Sequence, residues 1–203
     1  MYRLIMLNFI NIDNLLLFMT LVEEVKNFVE NECKKPSSKY GYEPFTCHFI
    51  PMVDYAEKLC DELGGDKELI LIAAWLHDIG SIIHGRKDHH ITGSEIAEEF
   101  LQQHNYPKDK IELVKKCIFH HRGSQNLERY SIEEKIVAEA DVLSNFDNIA
   151  GIFKAAFVFE NLSQDHARIA VRDKLRRKFN QLHFDSSKEL IKPKFDAAML
   201  ILQ

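Results

Sequence analysis

The sequence lacks the motifs that mark several common kinds of functional site. Its four cysteines are scattered with no CxxC pair, which favours free thiols in a reducing compartment over disulfides or a zinc–thiolate site. It has no glycine-rich phosphate loop and no GxSxG motif, so P-loop triphosphatase and serine-esterase chemistry lack support. The formal net charge of −5 argues against broad electrostatic binding to nucleic acid.

A hydrophobic run long enough to span a membrane is also missing. Residues 1–19 are rich in Leu, Ile and Phe, but polar residues interrupt them, and no small-residue cleavage site follows. We expect an extra amphipathic segment that is packed on the domain or frayed, or that lies upstream of a start at Met19. The sequence therefore predicts a cytoplasmic protein with no membrane partner.

No segment has the alternating pattern of a strand, and no repeat or low-complexity tract is present. Ser/Thr-x-x-Glu capping boxes at Thr20, Thr92 and Ser131 predict helix starts. Apolar spacing and turn residues predict helices at about residues 20–33, 46–63, 67–78, 92 onwards, 107–121 (stopping at Gly123), 131 onwards, 145–159, 165–184 and 186–202, with Pro193 a kink or boundary. We expect one all-α domain over residues 1–203, completed by the helices of residues 145–203.

The most unusual stretch is residues 69–83, LILIAAWLHDIGSII. Its continuously apolar start predicts a helix that is buried on nearly every side. It ends in His77 and Asp78, whose burial is costly unless something binds both groups, and a divalent metal would do so. Gly80 then breaks the pattern, and residues 80–90 are expected to form a polar loop that contacts substrate.

Two more polar residues are predicted to face inward. His48 lies beside the apolar stripe of its helix, and Asp141 follows Val137 by four residues on an apolar face. A single such histidine is more often a hydrogen-bonded core residue than a ligand. Together with His77 and Asp78, however, they make a nitrogen and oxygen donor set suited to a transition ion or Mg²⁺.

The order His48, His77-Asp78, Asp141 resembles the HD-domain superfamily of metal-dependent phosphohydrolases, over about residues 46–146. The resemblance implies an all-helical HD bundle in which these four residues ligate the metal and Asp78 bridges if two ions bind. It also implies one or two divalent ions per chain, drawn from Mn, Mg, Fe, Co, Ni and Zn.

Three further histidines, His90, His120 and His121, resemble the extra histidines of dinuclear HD proteins. Adjacent helical residues point about 100° apart, so one of His120 and His121 would ligate a second metal. The other would contact phosphate or the attacking water, and the sequence does not decide between them. The alternative is a single metal in a pocket that these histidines merely line.

Three cationic residues close in sequence to these histidines are candidate contacts for an anionic substrate. Arg122, directly after the histidine pair, is the better candidate, whereas Arg86 and Lys87 are either substrate contacts or solvated loop charges. The basic run at residues 172–178 is expected to be a solvated helix face. No role is assigned to five other histidines: His84, His89, His104, His166 and His183.

The expected activity is hydrolysis of a nucleotide or another small phosphate ester by a metal-activated water, with Asp78, His120, His121 and Arg122 in catalytic roles. Ser81 follows Gly80 where the cyclic-dinucleotide subgroup has lysine, and the Gly-Tyr-Pro motif of that subgroup is absent. Three alternatives stay open: a phosphodiesterase, a regulatory module that binds metal or nucleotide without turnover, and a non-heme iron oxygenase. The partner would be a small phosphorylated substrate, and a homo-oligomer is compatible with the sequence.

Overall fold

The computed structural model describes residues 12–122 and 128–203, and the side chains of residues 21–122 and 128–203. Residues 1–11 of the expected N-terminal segment and the expected helix stop at Gly123 lie outside the described residues. Within the described ranges the chain has no strand and forms ten α-helices: α1 Ile12–Lys34, α2 Ile50–Leu63, α3 Lys67–Leu76, α4 Ile79–His84, α5 His89–Gln103, α6 Lys108–His120, α7 Ile132–Ser144, α8 Ile149–Lys154, α9 Gln164–Asn180 and α10 Asp185–Ile201. Two π-helical turns, Phe45–Phe49 and Ala155–Phe159, adjoin α2 and α8. The all-α prediction is confirmed.

Of the three predicted capping boxes, only that of Ser131 begins a helix. Its Oγ accepts from the Glu134 backbone N–H at 3.1 Å, and the Glu134 carboxylate accepts from the Ser131 N–H at 2.8 Å. Thr20 lies inside α1, and Thr92 lies inside α5, which begins at His89. Those two predictions are wrong because the residues before each threonine continue the helix.

Helix α3 forms the centre of the core, and every residue from Leu69 to Leu76 is buried. Asp66 caps its N-terminus, and the Asp66 carboxylate accepts from the Leu69 N–H at 3.2 Å. Helices α1, α2, α6 and α7 all pack around it. A helix covered on all sides has no solvated face, which explains its continuous apolar sequence.

The polar loop expected over residues 80–90 is confined to residues 85–88, because residues 80–84 belong to α4 and residues 89–90 to α5. Only His77 and Asp78 separate α3 from α4, and α4 packs closely on α5. Gly80 permits this contact, because a Cβ there would lie 2.6 Å from Thr92 Oγ1 and 2.7 Å from the Gly93 nitrogen. The close approach brings the start of α5 beside Asp78.

The C-terminal helices close the bundle against α7. Both α9 and α10 contact α7, and α10 runs through Pro193 without ending there. In the described part of the chain no single helix is long and apolar enough to cross a membrane, although two sharply bent helix pairs pass that test by length and composition.

Candidate metal centre

Three places in the chain bring the four predicted ligands together. His48 lies on the π-helical turn before α2, His77 and Asp78 lie between α3 and α4, and Asp141 lies on α7. The Nε2 atom of His48 is 3.0 Å from Nε2 of His77 and 3.7 Å from both Asp78 Oδ2 and Asp141 Oδ1. The donor atoms therefore converge on one point at the end of the buried helix.

A second group of donors meets the other oxygen of Asp78. Oδ1 of Asp78 lies 3.4 Å from His89 Nε2 and 3.9 Å from His121 Nε2. The ligand atoms of Asp78, His89 and His121 all lie within 4.8 Å of one another, as do those of His48, His77 and Asp78. Asp78 is thus shared by two candidate metal sites.

The structure does not bring His90 or His120 into either group. The His90 ring packs on Phe119, and its Nδ1 lies 3.4 Å from Arg122 Nη1. His120 directs its Nδ1 to the Glu134 carboxylate on α7. Neighbouring helical residues point about 100° apart, so one histidine of each adjacent pair faces Asp78 and the other faces away.

His89 is the residue that sequence reasoning missed. The available signal was its position four residues before Gly93, on a line that continues through Ala97 and Leu101. All three of those residues are buried. His90 shares part of the same buried face, so the spacing alone does not separate the two histidines.

Backbone carbonyls set the protonation of three histidines in the centre. Nδ1 of His77, His89 and His121 each donates to the carbonyl three residues earlier, at 2.8, 2.8 and 2.5 Å. A carbonyl only accepts, so Nδ1 carries the proton and Nε2 presents its lone pair to the centre. Such outer hydrogen bonds fix both the tautomer and the ring orientation of metal-binding histidines.

His48 is oriented in the same way by a side chain. Its Nδ1 donates to Ser144 Oγ at 2.9 Å, because the Ser144 hydroxyl donates its own proton to the Asp141 carbonyl at 2.8 Å. The Nε2 atoms of His48 and His77 then both carry a lone pair and lie 3.0 Å apart. The two lone pairs repel each other unless a cation lies beside both nitrogen atoms. The donor set fits a divalent metal ion.

The ionisation of the centre suits a cation as well. Burial lowers the pKa of His77 to about 3 and also lowers the pKa of His121, so both rings are neutral near pH 7. Burial raises the pKa of Asp78 and Asp141, but interactions with neighbouring groups outweigh it. The pKa of Asp78 is held well below its usual value by the surrounding imidazoles, led by His77, which are cationic in the acid range where this carboxyl titrates. The Lys178 ammonium, 2.8 Å from Asp141 Oδ2, lowers the pKa of Asp141. Neutral imidazoles and ionised carboxylates are the forms that bind metal.

The model of the HD domain family matches residues 46–145, which contain His48, His77, Asp78 and Asp141. The chain belongs to the HD-domain superfamily. Solved structures show the same fold at low identity. Lin1889 from Listeria innocua is 19% identical with a TM-score of 0.69, over 92% of this chain and 93% of that one. An HD-superfamily hydrolase from Bacillus thuringiensis is 17% identical with a TM-score of 0.69, over 91% and 94%.

Another similar structure is that of YpgQ from Bacillus subtilis in complex with ADP. It is 18% identical with a TM-score of 0.69, over 91% of each chain. Among curated proteins, one from Clostridium beijerinckii without an assigned function is 34% identical over 83 residues, which are 39% of this chain. A tRNA (cytidine(56)-2'-O)-methyltransferase from Picrophilus torridus is 27% identical over 135 residues, or 62% of this chain. The match spans 53% of the first of these relatives and 38% of the second.

We expect the stability of this HD domain to depend on pH through His77. In the unfolded chain the imidazole binds a proton near its ordinary pKa of 6.5, whereas in the folded protein it does so only near pH 3. The unfolded state binds more protons in this window, so stability rises with pH, and lowering the pH from 7 to 5 costs about 2 kcal/mol. Urea unfolding in the presence of a chelator at both pH values measures the loss. His77→Asn should weaken this dependence and leave the smaller part that the lowered pKa of His121 supplies. His183→Asn, on an exposed side chain, should keep the wild-type slope, and equal slopes in both variants would contradict the assignment.

Proposed function

We propose that this HD domain is a metal-dependent phosphohydrolase that acts on a nucleotide or another small phosphate ester. The observation that carries the proposal is the sharing of Asp78 by two groups of histidines whose Nε2 atoms face it. Carboxylate-bridged pairs of metal ions serve phosphate-ester hydrolysis in many enzymes. The ADP bound to YpgQ, which has the same fold, supports a nucleotide as the substrate.

The ligands of the two ions follow from the two groups. His48, His77, Asp78 and Asp141 would hold the first ion, and Asp78, His89 and His121 the second. Divalent ions in such a centre polarise a phosphoryl oxygen and lower the pKa of bound water. The role of the protein is to keep the imidazoles neutral, with Nε2 oriented toward the ions, and to keep both carboxylates ionised.

Asp78 also has the position of a group that orients the attacking water. Its side chain is 27% exposed against 11% for Asp141, so it lies toward the open side of the centre. Ser81 Oγ donates to Asp78 Oδ1 at 3.0 Å and fixes the carboxylate plane. A carboxylate held ionised in this way can accept a hydrogen bond from the attacking water and so orient it toward phosphorus.

A substrate panel tests the proposed activity. The protein loaded with Mn²⁺, Mg²⁺ or Co²⁺ would be assayed on p-nitrophenyl phosphate, on bis(p-nitrophenyl) phosphate and on nucleotides. We expect phosphate release from the monoester and from nucleotides, and its loss in excess chelator. Activity confined to the diester would instead make the protein a phosphodiesterase, and binding of metal and nucleotide without turnover would make it a regulatory module.

Metal content tests the assignment of His89. We expect freshly purified protein to contain two ions per chain, measured by mass spectrometry of the metals against protein concentration. His89→Asn should lower this content to one ion, because the second group keeps only Asp78 and His121. His90→Asn is the matched control and should keep two ions. A loss in the His90 variant alone would reassign the second site.

A further inference from the structure

Helix α9 lies beyond the part of the chain that the HD family model matches, yet it reaches the metal centre. Lys178 on this helix binds Asp141, and its side chain is only 18% exposed. Lys174 precedes it by one helical turn, so both lysines lie on the same face. Two other cations of the basic run, Arg176 and Arg177, are exposed. The expectation of a solvated face therefore holds for these two arginines and fails for the two lysines.

Lys174 is a half-buried cation for which the described part of the chain provides no paired carboxylate. It takes part in no ion pair with the residues that the structure describes, although Asp141 and Glu160 act on it electrostatically. Burial, followed by the charges of Lys178 and Arg86, lowers its pKa to about 8. A buried ammonium without a bound anion is costly, so its environment would favour an anionic ligand.

Arg86 adds a third cation on the same side of the centre. It lies in the turn between α4 and α5, and its carbonyl accepts from Nδ1 of His89. Its charge contributes to the lowered pKa of Lys174. We refer to Arg86, Lys174 and Lys178 together as the cationic rim, in which Arg86 adjoins the second group of metal donors and Lys178 binds Asp141.

We propose that Lys174 and Arg86 bind a second phosphate group of the substrate, one that is not attacked at the metal centre. This inference rests on the proposed function, and it narrows the substrate class to nucleoside di- and triphosphates. The phosphate attacked at the metal centre is neutralised by the ions and by Lys178. A monoester offers no further anion to the rim, whereas a phosphate chain does, and charge-assisted hydrogen bonds to it would discriminate between the two.

Kinetic selectivity tests the rim. The ratio of kcat/KM for ADP to kcat/KM for AMP is measured for the full chain and for Lys174→Met, with Arg177→Met as a control of equal charge on the same helix. We expect the ratio to fall about 10-fold to 100-fold in Lys174→Met, the loss typical of a hydrogen bond between charged groups. The control should keep the wild-type ratio. An unchanged ratio in Lys174→Met would overturn the proposal.

A binding experiment distinguishes failure of this proposal from failure of the proposed hydrolysis. Inorganic pyrophosphate and inorganic phosphate are titrated by calorimetry into the full chain as purified. Wild-type protein should prefer pyrophosphate, and Lys174→Met should lose that preference whether or not any ester is hydrolysed. Turnover without such a preference would overturn the rim alone, and the preference without turnover would overturn only the hydrolysis. Arg86→Met changes an exposed side chain and supplies the same comparison if Lys174→Met does not fold.

Discussion

Replacing Asp78 by asparagine is expected to lower hydrolysis by about 1,000-fold or more, since both metal groups and the orientation of water depend on this carboxylate. An amide keeps the shape of the side chain but removes the negative charge that the two groups share. It also binds divalent ions more weakly than a carboxylate does. We therefore expect metal content to fall together with turnover, and both are measured on the same preparation.

Asp88→Asn is the matched control for this variant. Asp88 is exposed, and its backbone φ of 54° lies in the left-handed region that asparagine also adopts readily. The control should keep its metal, its turnover and its urea midpoint. If Asp78→Asn retained wild-type hydrolysis, the proposed centre would not be the catalytic one. If the wild-type protein showed no hydrolysis and Asp78→Asn lost its metal, the result would favour a module that binds metal without turnover.

Gly80→Ala is expected to destabilise the fold by about 3 kcal/mol, at the upper end of overpacking effects. The added Cβ would meet the His89 carbonyl, Thr92 Oγ1 and the Gly93 nitrogen. Two of these atoms belong to the backbone of α5, so the helix itself must shift. Because α5 carries His89, the second metal group should be lost as well. Urea unfolding and metal content measure the two effects.

Gly93→Ala provides the control from the other side of the same contact. A Cβ at Gly93 would find its closest neighbours at 3.4 Å, an ordinary van der Waals distance. Alanine in a helix is favoured over glycine by about 0.5–1 kcal/mol, so this variant should be as stable as the wild type or more so. Equal destabilisation by both substitutions would show that the close approach at Gly80 is not the cause.

Helical content was predictable from local sequence, but the helix boundaries were less so. A Ser/Thr-x-x-Glu pattern marks a helix start only where the preceding backbone leaves helical geometry. Ser131 meets this condition with ψ of 160°. Thr92 does not, because the left-handed turn comes earlier, at Asp88, and the helix already includes His89. The expectation of a single domain over the whole chain stays a prediction.

The basic run on α9 shows that local sequence also does not predict which charged side chains are buried. Its sequence is typical of a solvated helix face, since arginine and lysine occur at most positions. Helical geometry spreads these side chains around the axis, and only the packing of α9 on α7 decides which of them turn inward. That packing placed Lys178 on Asp141, with Lys174 one helical turn earlier on the same face.

The sequence by itself determined the all-helical class, the buried helix α3 and the inward direction of His48, His77, Asp78 and Asp141, whose meeting in one site was implied by the family resemblance. These follow from local periodicity and from the cost of burying polar groups on apolar faces. The tertiary structure alone decided that His89 faces Asp78 while His90 does not, and that α9 supplies a cationic rim. Both depend on the rotation of one helix against another, and the spacing along a single helix does not set that rotation. At residues 69–83 the helix, the turn and Gly80 together place the shared carboxylate of the proposed centre.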